Sequence, residues 1–139
     1  MTELTLYCDG GSRGNPGPAA IGAVVYDTTT VPPQLVATVS ECIGVTTNNV
    51  AEYRALIAGL GAVAHLHAQV IHARADSMLV IKQLRGEWKV KHANMRPLHA
   101  RAMALLAEYE VVDLQHVRRE ENTEADALVN QALDAAASS

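Results

Sequence analysis

The sequence predicts an α/β protein: one mixed five-stranded sheet flanked by about four helices. Three observations predict it. Three strand-like runs in the first third are joined by turn-length connections. Near residue 49 the hydrophobic period changes from two residues to helical spacing. Two further strand-like runs then alternate with helical stretches, the pattern of parallel crossovers. At 139 residues the chain is sized for one core. We expect a single domain at 1–134, with AAASS at 135–139 as a frayed tail or the start of a linker.

The elements follow in order. ELTLYC at 3–8 alternates and is rich in strand formers, so it reads as a strand ending at Asp9. GGSRGNPGP at 10–18 holds four glycines and two prolines, which reads as a loop. AIGAVVY at 20–26 and QLVATVSECI at 34–43 continue an antiparallel meander. From Asn49 to His67, residues Tyr53, Leu56, Ile57, Leu60 and Val63 recur at helical spacing. VIHARA at 70–75 is a short strand ending at Asp76. Ser77 can cap a helix through Leu84 that Gly86 ends. Residues 87–93 form a polar connector. Asn94 can cap a helix to about Tyr109, with Leu98, Ala102, Leu105 and Leu106 inward. VVDLQHV at 111–117 is the fifth strand. Asn122 can cap the last helix, with Ala125, Leu128, Val129, Ala132 and Leu133 on one side.

Composition narrows the class. Hydrophobic residues make up 49% and charged residues 19%, which excludes a disordered or fibrous chain. There are 23 alanines, no phenylalanine and one tryptophan, so the core must be Leu, Val, Ile and Ala, and Trp88 calls for an explanation. Cys8 and Cys42 read as small core residues rather than a disulfide or zinc site. No signal peptide and no membrane span is apparent, so we expect a reduced, cytoplasmic protein. The net charge of −4 argues, on its face, against a nucleic-acid partner.

The acids change that reading. Of only six aspartates, Asp9 and Asp76 directly follow strands one and four. Strand ends at one edge of an α/β sheet are where ligands bind. Two carboxylates placed side by side there need a cation between them. Glu52 opens the long helix. Asp126 opens the last helix and shares a face with Val129, Asn130 and Leu133, so it points toward the sheet. Singly, each has another reading: a turn residue for Asp9, a cap for Asp76, a capping box with Asn49 for Glu52, and a helix-dipole partner for Asp126.

Together the motifs resemble one family. CDGGSRGNPGPAAIGAVV (8–25), TTNNVAEYRALIAGL (46–60), RADSMLV (74–80) and HVRREENTEADALVNQAL (116–133) closely resemble type 1 ribonuclease H in order and spacing. The resemblance implies the RNase H-like fold with sheet order 3-2-1-4-5. It implies hydrolysis of the RNA strand of RNA/DNA hybrids, leaving 5′-phosphate and 3′-hydroxyl ends with no covalent intermediate. It assigns Asp9, Glu52, Asp76 and Asp126 as ligands of two Mg²⁺ ions, with Mn²⁺ as a substitute. Metal ions about 3.5–4 Å apart supply charge that four acids lack, activate a water and stabilise the leaving oxygen. His116 matches a histidine that assists proton transfer or product release in many members. Arg118 and Arg119 stand where other members use an arginine instead.

The same resemblance implies how a hybrid is read. RNA is told from DNA by its 2′-hydroxyl across a shallow minor groove, which favours small groups and open backbone. Gly10, Gly11, Ser12 and Gly14 supply these, with Asn15 and Asn48 reaching the groove. Thr47 and Asn94 match a DNA-phosphate pocket, although Val45 stands where an arginine often lies. Residues 82–101 carry six bases against one acid. There Trp88, Lys89 and Lys91 resemble a shortened substrate handle that packs on the DNA backbone. This predicts salt-sensitive binding. A monomer of low processivity is expected. Some bacterial relatives add a C-terminal phosphatase-like domain, and the Ala/Ser end suggests such a fusion.

Two other functions fit the fold: a DNA-cutting integrase type, and a binding module without catalysis. The GNPGP loop and NNxxE element argue against the first, and retention of all four acids against the second. Setting the four proposed ligands aside leaves 11 of the 15 acids to balance 11 bases. The acidity is then the metal site itself.

Overall fold

The computed structural model describes residues 2–138. Strands β1 (Glu3–Ser12), β2 (Gly17–Asp27) and β3 (Gln34–Thr46) form the antiparallel meander. Helix α1 (Asn48–Val63) crosses over to β4 (Val70–Ala75), which pairs parallel to β1. Helices α2 (Met78–Leu84) and α3 (Arg96–Leu106) lead to β5 (Val111–His116), parallel to β4. Helix α4 (Thr123–Ser138) ends the fold. The sheet order is β3-β2-β1-β4-β5, as the family resemblance implies.

Side-chain alternation puts Leu4, Leu6 and Cys8 of β1 on one face, against Tyr53, Leu56 and Leu60 of α1. Ile71 and Ala73 of β4, Ile81 of α2, and Ala102 and Leu106 of α3 extend that core. On the opposite face α4 lays Val129, Ala132 and Leu133 over Ala20. Two glycines let helices approach the sheet. A Cβ on Gly22 of β2 would lie 2.4 Å from the Ala125 carbonyl oxygen of α4, and one on Gly10 would lie 2.2 Å from the Ala51 carbonyl carbon of α1.

Several boundaries differ from the expectation. β1 continues to Ser12 because Gly10, Gly11 and Ser12 pair with Ile21, Ala20 and Ala19, so part of the expected loop is ladder. Asn94 does not cap α3. The helix begins at Arg96, just before Pro97, whose ring fits only the first turn, and Met95 precedes it without a side-chain cap. The expected frayed tail is helical through Ser138, in keeping with the helix propensity of its alanines. Cys8 is buried, but Cys42 is exposed, because it lies on the edge strand β3 with its Sγ directed at the Ala132 carbonyl.

The half of the sheet beyond α4 carries a polar staple. His72 of β4 places Nδ1 2.8 Å from Asp113 of β5 and Nε2 3.0 Å from Glu3 of β1. Arg74 also donates to Asp113, at 3.0 Å. The hydrogen bond to Asp113, helped by Glu3, raises the His72 pKa, and only an imidazolium can donate to both acids. The added stability is therefore complete below the ordinary histidine pKa and is lost as pH rises through the raised one. For His72→Gln we expect a loss of about 1 kcal/mol at pH 5.5 that vanishes in alkaline solution, read from urea midpoints. A loss that grows with pH would contradict this.

Candidate active site

The sheet topology brings four acids to one edge. Cys8 pairs with Ala75, and just beyond that pair β1 and β4 diverge, presenting Asp9 and Asp76 from neighbouring strands. Glu52 arrives from α1, whose backbone touches Gly10. The Gly10 amide beside the Glu52 carboxyl partly offsets the rise in its pKa. Oxygens of Asp9, Glu52 and Asp76 all lie within 4.8 Å of one another. Asp126 comes from the first turn of α4, close enough to raise the Asp9 pKa. All four line one open cleft of about 380 Å³.

The cluster holds protons that isolated acids would lose. Burial, with Asp76 and Asp126 alongside, pushes the Asp9 pKa up to about 8. Burial and the charges of Asp9 and Asp76 raise Glu52 as well. Burial raises Asp76, partly offset by the neighbouring Asp9 carboxyl and by Arg119. Glu52 Oε2 is buried without a hydrogen-bond partner among the described residues. Hard oxygen donors gathered from separate elements, one of them unsatisfied, suit Mg²⁺ or a similar divalent ion.

The helix starts explain which acid is free to act. Thr47 caps α1, its Oγ1 accepting from Val50 N at 3.3 Å, so the Asn49–Glu52 capping box does not form and Glu52 is left for the cleft. Ser77 caps α2 in the same way through Val80 N, which releases Asp76 from that task. Asn122 precedes α4. Its backbone carbonyl accepts Asp126 N at 3.1 Å, while its side chain donates to the Cys8 carbonyl at 2.9 Å. It thus ties the strand of Asp9 to the helix of Asp126, a link hidden in sequence because Asn at that position signals only a cap. Asn130 donates to the Asp126 carboxyl at 3.4 Å.

Of the two basic alternatives, Arg119 reaches the cleft, with Nη2 3.6 Å from Asp126. Arg118 turns to Glu121. His116 is exposed, and its Nε2 lies 3.2 Å from the Asp76 carbonyl, outside the cleft lining. A carbonyl only accepts, so that nitrogen carries the hydrogen.

Beside the acids, Gly10, Gly11 and Ser12 continue the cleft wall. Asn48 Oδ1 accepts from Ser12 N at 2.8 Å and Ser12 Oγ at 3.0 Å, and Asn15 accepts from Asn48 N at 3.1 Å. Asn48 is therefore braced between Ser12, at the end of β1, and Asn15 in the loop beyond it. A second cleft, about 600 Å³, includes Trp88, Lys89, Lys91 and Asn49. Trp88 is 46% exposed, too open for a core residue. The buried Gln83 fixes this segment by accepting from Tyr53 Oη at 2.5 Å and donating to the Lys89 carbonyl at 3.1 Å. Lys82 and Arg85 bind Glu87, and Arg96 bonds the Val90 carbonyl, so half of the basic run serves the fold. Asn94 is exposed in the turn before α3, and Val45 is 73% exposed.

Among known proteins, the family model described as reverse transcriptase-like matches residues 7–132. The bifunctional protein Rv2228c of Mycobacterium tuberculosis is 47% identical over 99% of the chain. The chain spans only 37% of that relative's length. The solved N-terminal RNase H domain of Rv2228c superposes with a TM-score of 0.92 at 44% identity, covering 99% of this chain and 98% of that domain. Ribonuclease HI of Halobacterium salinarum is 46% identical over 95% of the chain and 65% of its own length. LC11-RNase H1, solved in complex with an RNA/DNA hybrid, is 37% identical with a TM-score of 0.88, covering 96% of this chain and 99% of that one.

Proposed function

The chain belongs to the type 1 ribonuclease H family, and from that premise we propose that it is a metal-dependent endonuclease cutting the RNA strand of RNA/DNA hybrids. The observation that carries the reading is the convergence of Asp9, Glu52 and Asp76, from three separate elements, within 4.8 Å. Asp9, Glu52, Asp76 and Asp126 would hold two Mg²⁺ ions, with Mn²⁺ as a substitute. When bound, such a pair activates a water and stabilises the departing 3′-oxygen, giving 5′-phosphate and 3′-hydroxyl ends.

The chain's own groups do the positioning. Gly10 and Gly11 keep the wall low enough for a groove edge to approach. Ser12, Asn15 and Asn48 offer the polar atoms that recognise a 2′-hydroxyl. Trp88, Lys89, Lys91, Thr47 and Asn94 hold the DNA strand, with Lys89 and Lys91 supplying the charge that Val45 does not. One chain supplies all four acids, so a single copy suffices for a complete site. The test is a panel of labelled hybrid, duplex RNA and duplex DNA with Mg²⁺. The hybrid alone should be cut, in its RNA strand only. Binding of the hybrid without cutting, or cutting of duplex DNA, would overturn the reading.

Arg119 offsets the negative field between Asp76 and Asp126, whereas His116 is tied to a backbone carbonyl. Arg119→Ala should lower kcat about 10–100-fold, as loss of a group that orients metal ligands does. His116→Ala should cost less than about tenfold and keep the acidic limb of the pH–rate profile. Loss of that limb in His116→Ala would instead make the imidazole the proton carrier.

A further inference from the structure

The loop after β1 carries one cation, Arg13, to which the reading above gives no task. Arg13 Nη2 lies 2.5 Å from Asp134 Oδ1 on α4, 121 residues away. Arg13 also borders the carboxylate cleft, beside Ser12, Asn48 and Asn130. With Arg119 on the Asp126 side, two guanidinium groups thus stand at a cleft built from four acids.

The ion pair is not needed to close the loop. Ser12 pairs with Ala19, Arg13 N donates to the Pro18 carbonyl at 2.8 Å, and Asn48 holds Ser12. The Arg13 and Asp134 side chains are 45% and 69% exposed, and pairs that open contribute little to folding. Asp134 engages one Nη group, and the planar fork has further donors matched to a phosphate. A nucleic-acid strand entering the cleft carries phosphates on both sides of the one that is cut. Those neighbours meet a field of acids and require a cation at the rim.

We propose that Arg13, oriented by Asp134, binds a backbone phosphate of the strand that enters the carboxylate cleft, adjacent to the phosphate that is cut. The proposal rests on the hybrid-cleavage reading, and Asp134 acts in it as a positioning residue. Steady-state cleavage of an RNA/DNA hybrid across a salt series tests it. Arg13→Ala should raise KM about five- to tenfold with kcat within about twofold, and flatten the slope of log kcat/KM against log salt by about one. Arg13→Lys should restore most of the KM and the slope. Asp134→Asn should raise KM about two- to threefold and leave the slope unchanged, since the cation stays but its orientation loosens. The Tm of all three should stay near that of the wild type. An unchanged KM and slope in Arg13→Ala, or a fall in Tm with an unchanged slope, would make the pair a loop staple and overturn the proposal. If the wild type cuts no hybrid, the functional reading fails with it. If the wild type cuts and Arg13→Ala matches it, this proposal alone fails.

Discussion

Asp9→Asn is expected to lower kcat at least about a thousandfold while leaving the fold intact, as removal of a core catalytic group does. The substitution keeps the shape of a residue that is only 7% exposed and removes a carboxylate that could give up its proton to a metal ion. The same change should stabilise the metal-free protein in alkaline solution. Below the ordinary carboxylate range, folded and unfolded chains both keep the Asp9 proton. From there to about pH 8 only the folded chain keeps it, so the stability it confers is lost as pH rises through that window. Glu52 and Asp76, also raised, act in the same direction. In EDTA the wild-type Tm should therefore fall between pH 5 and pH 8, by the equivalent of a few kcal/mol (about 1.4 kcal/mol per pKa unit, as an upper scale). Asp9→Asn should flatten that fall. Mg²⁺ should raise the wild-type Tm, and that of the variant far less. A variant that gains as much from Mg²⁺ as the wild type would remove Asp9 from the ligand set.

Gly10→Ala should damage both folding and chemistry. Its Cβ would sit 2.2 Å from the Ala51 carbonyl carbon, 2.3 Å from that oxygen and 2.5 Å from Glu52 N. These are backbone atoms, so no side chain can swing aside, and β1 or α1 must shift. That shift separates Asp9 from Glu52, the two acids on either side of the contact. We expect a loss of about 3 kcal/mol in a urea titration, the upper range for overpacking. The kcat of the folded fraction should fall about 100-fold, the scale for an ångström of misplacement. Gly11→Ala is the stability control, since its Cβ would meet only Val129 Cγ1, at 3.8 Å. It should move the unfolding free energy by less than about 0.5 kcal/mol. Equal losses in the two variants would mean that the contact of β1 with α1 is not what sets the geometry.

Legibility in sequence followed the range of the physics involved. Asp9 and Asp76 were readable because a two-residue period ends just before each, and strand ends are sites in this fold class. The crossover order was readable from the change of period. The extent of β1 was not: Gly10, Gly11 and Ser12 look like loop by propensity, and only their pairing with β2 makes them strand. Glu52 was ambiguous because with Asn49 it fits a capping box, whereas the helix is capped two residues earlier, by Thr47. Asn94 reads as a cap, yet Pro97, whose ring fits the first turn, goes with a start of α3 at Arg96. Cys42 reads as core from its apolar neighbours, but β3 is an edge strand, and Cys42 stays exposed even beside α4. The tie from Asn122 to Cys8 spans 114 residues, and the Arg13–Asp134 pair spans 121, so neither leaves a local signal.

In the proposed reaction, clustered carboxylates charged with divalent metal would cut RNA in a hybrid by water attack. The most direct measurement is to identify the ends of the RNA fragments made from a hybrid with Mg²⁺ and with EDTA. Fragments are expected only with Mg²⁺, bearing 5′-phosphate and 3′-hydroxyl ends. Cleavage that survives EDTA, or 2′,3′-cyclic phosphate ends produced by the RNA's own hydroxyl, would contradict it.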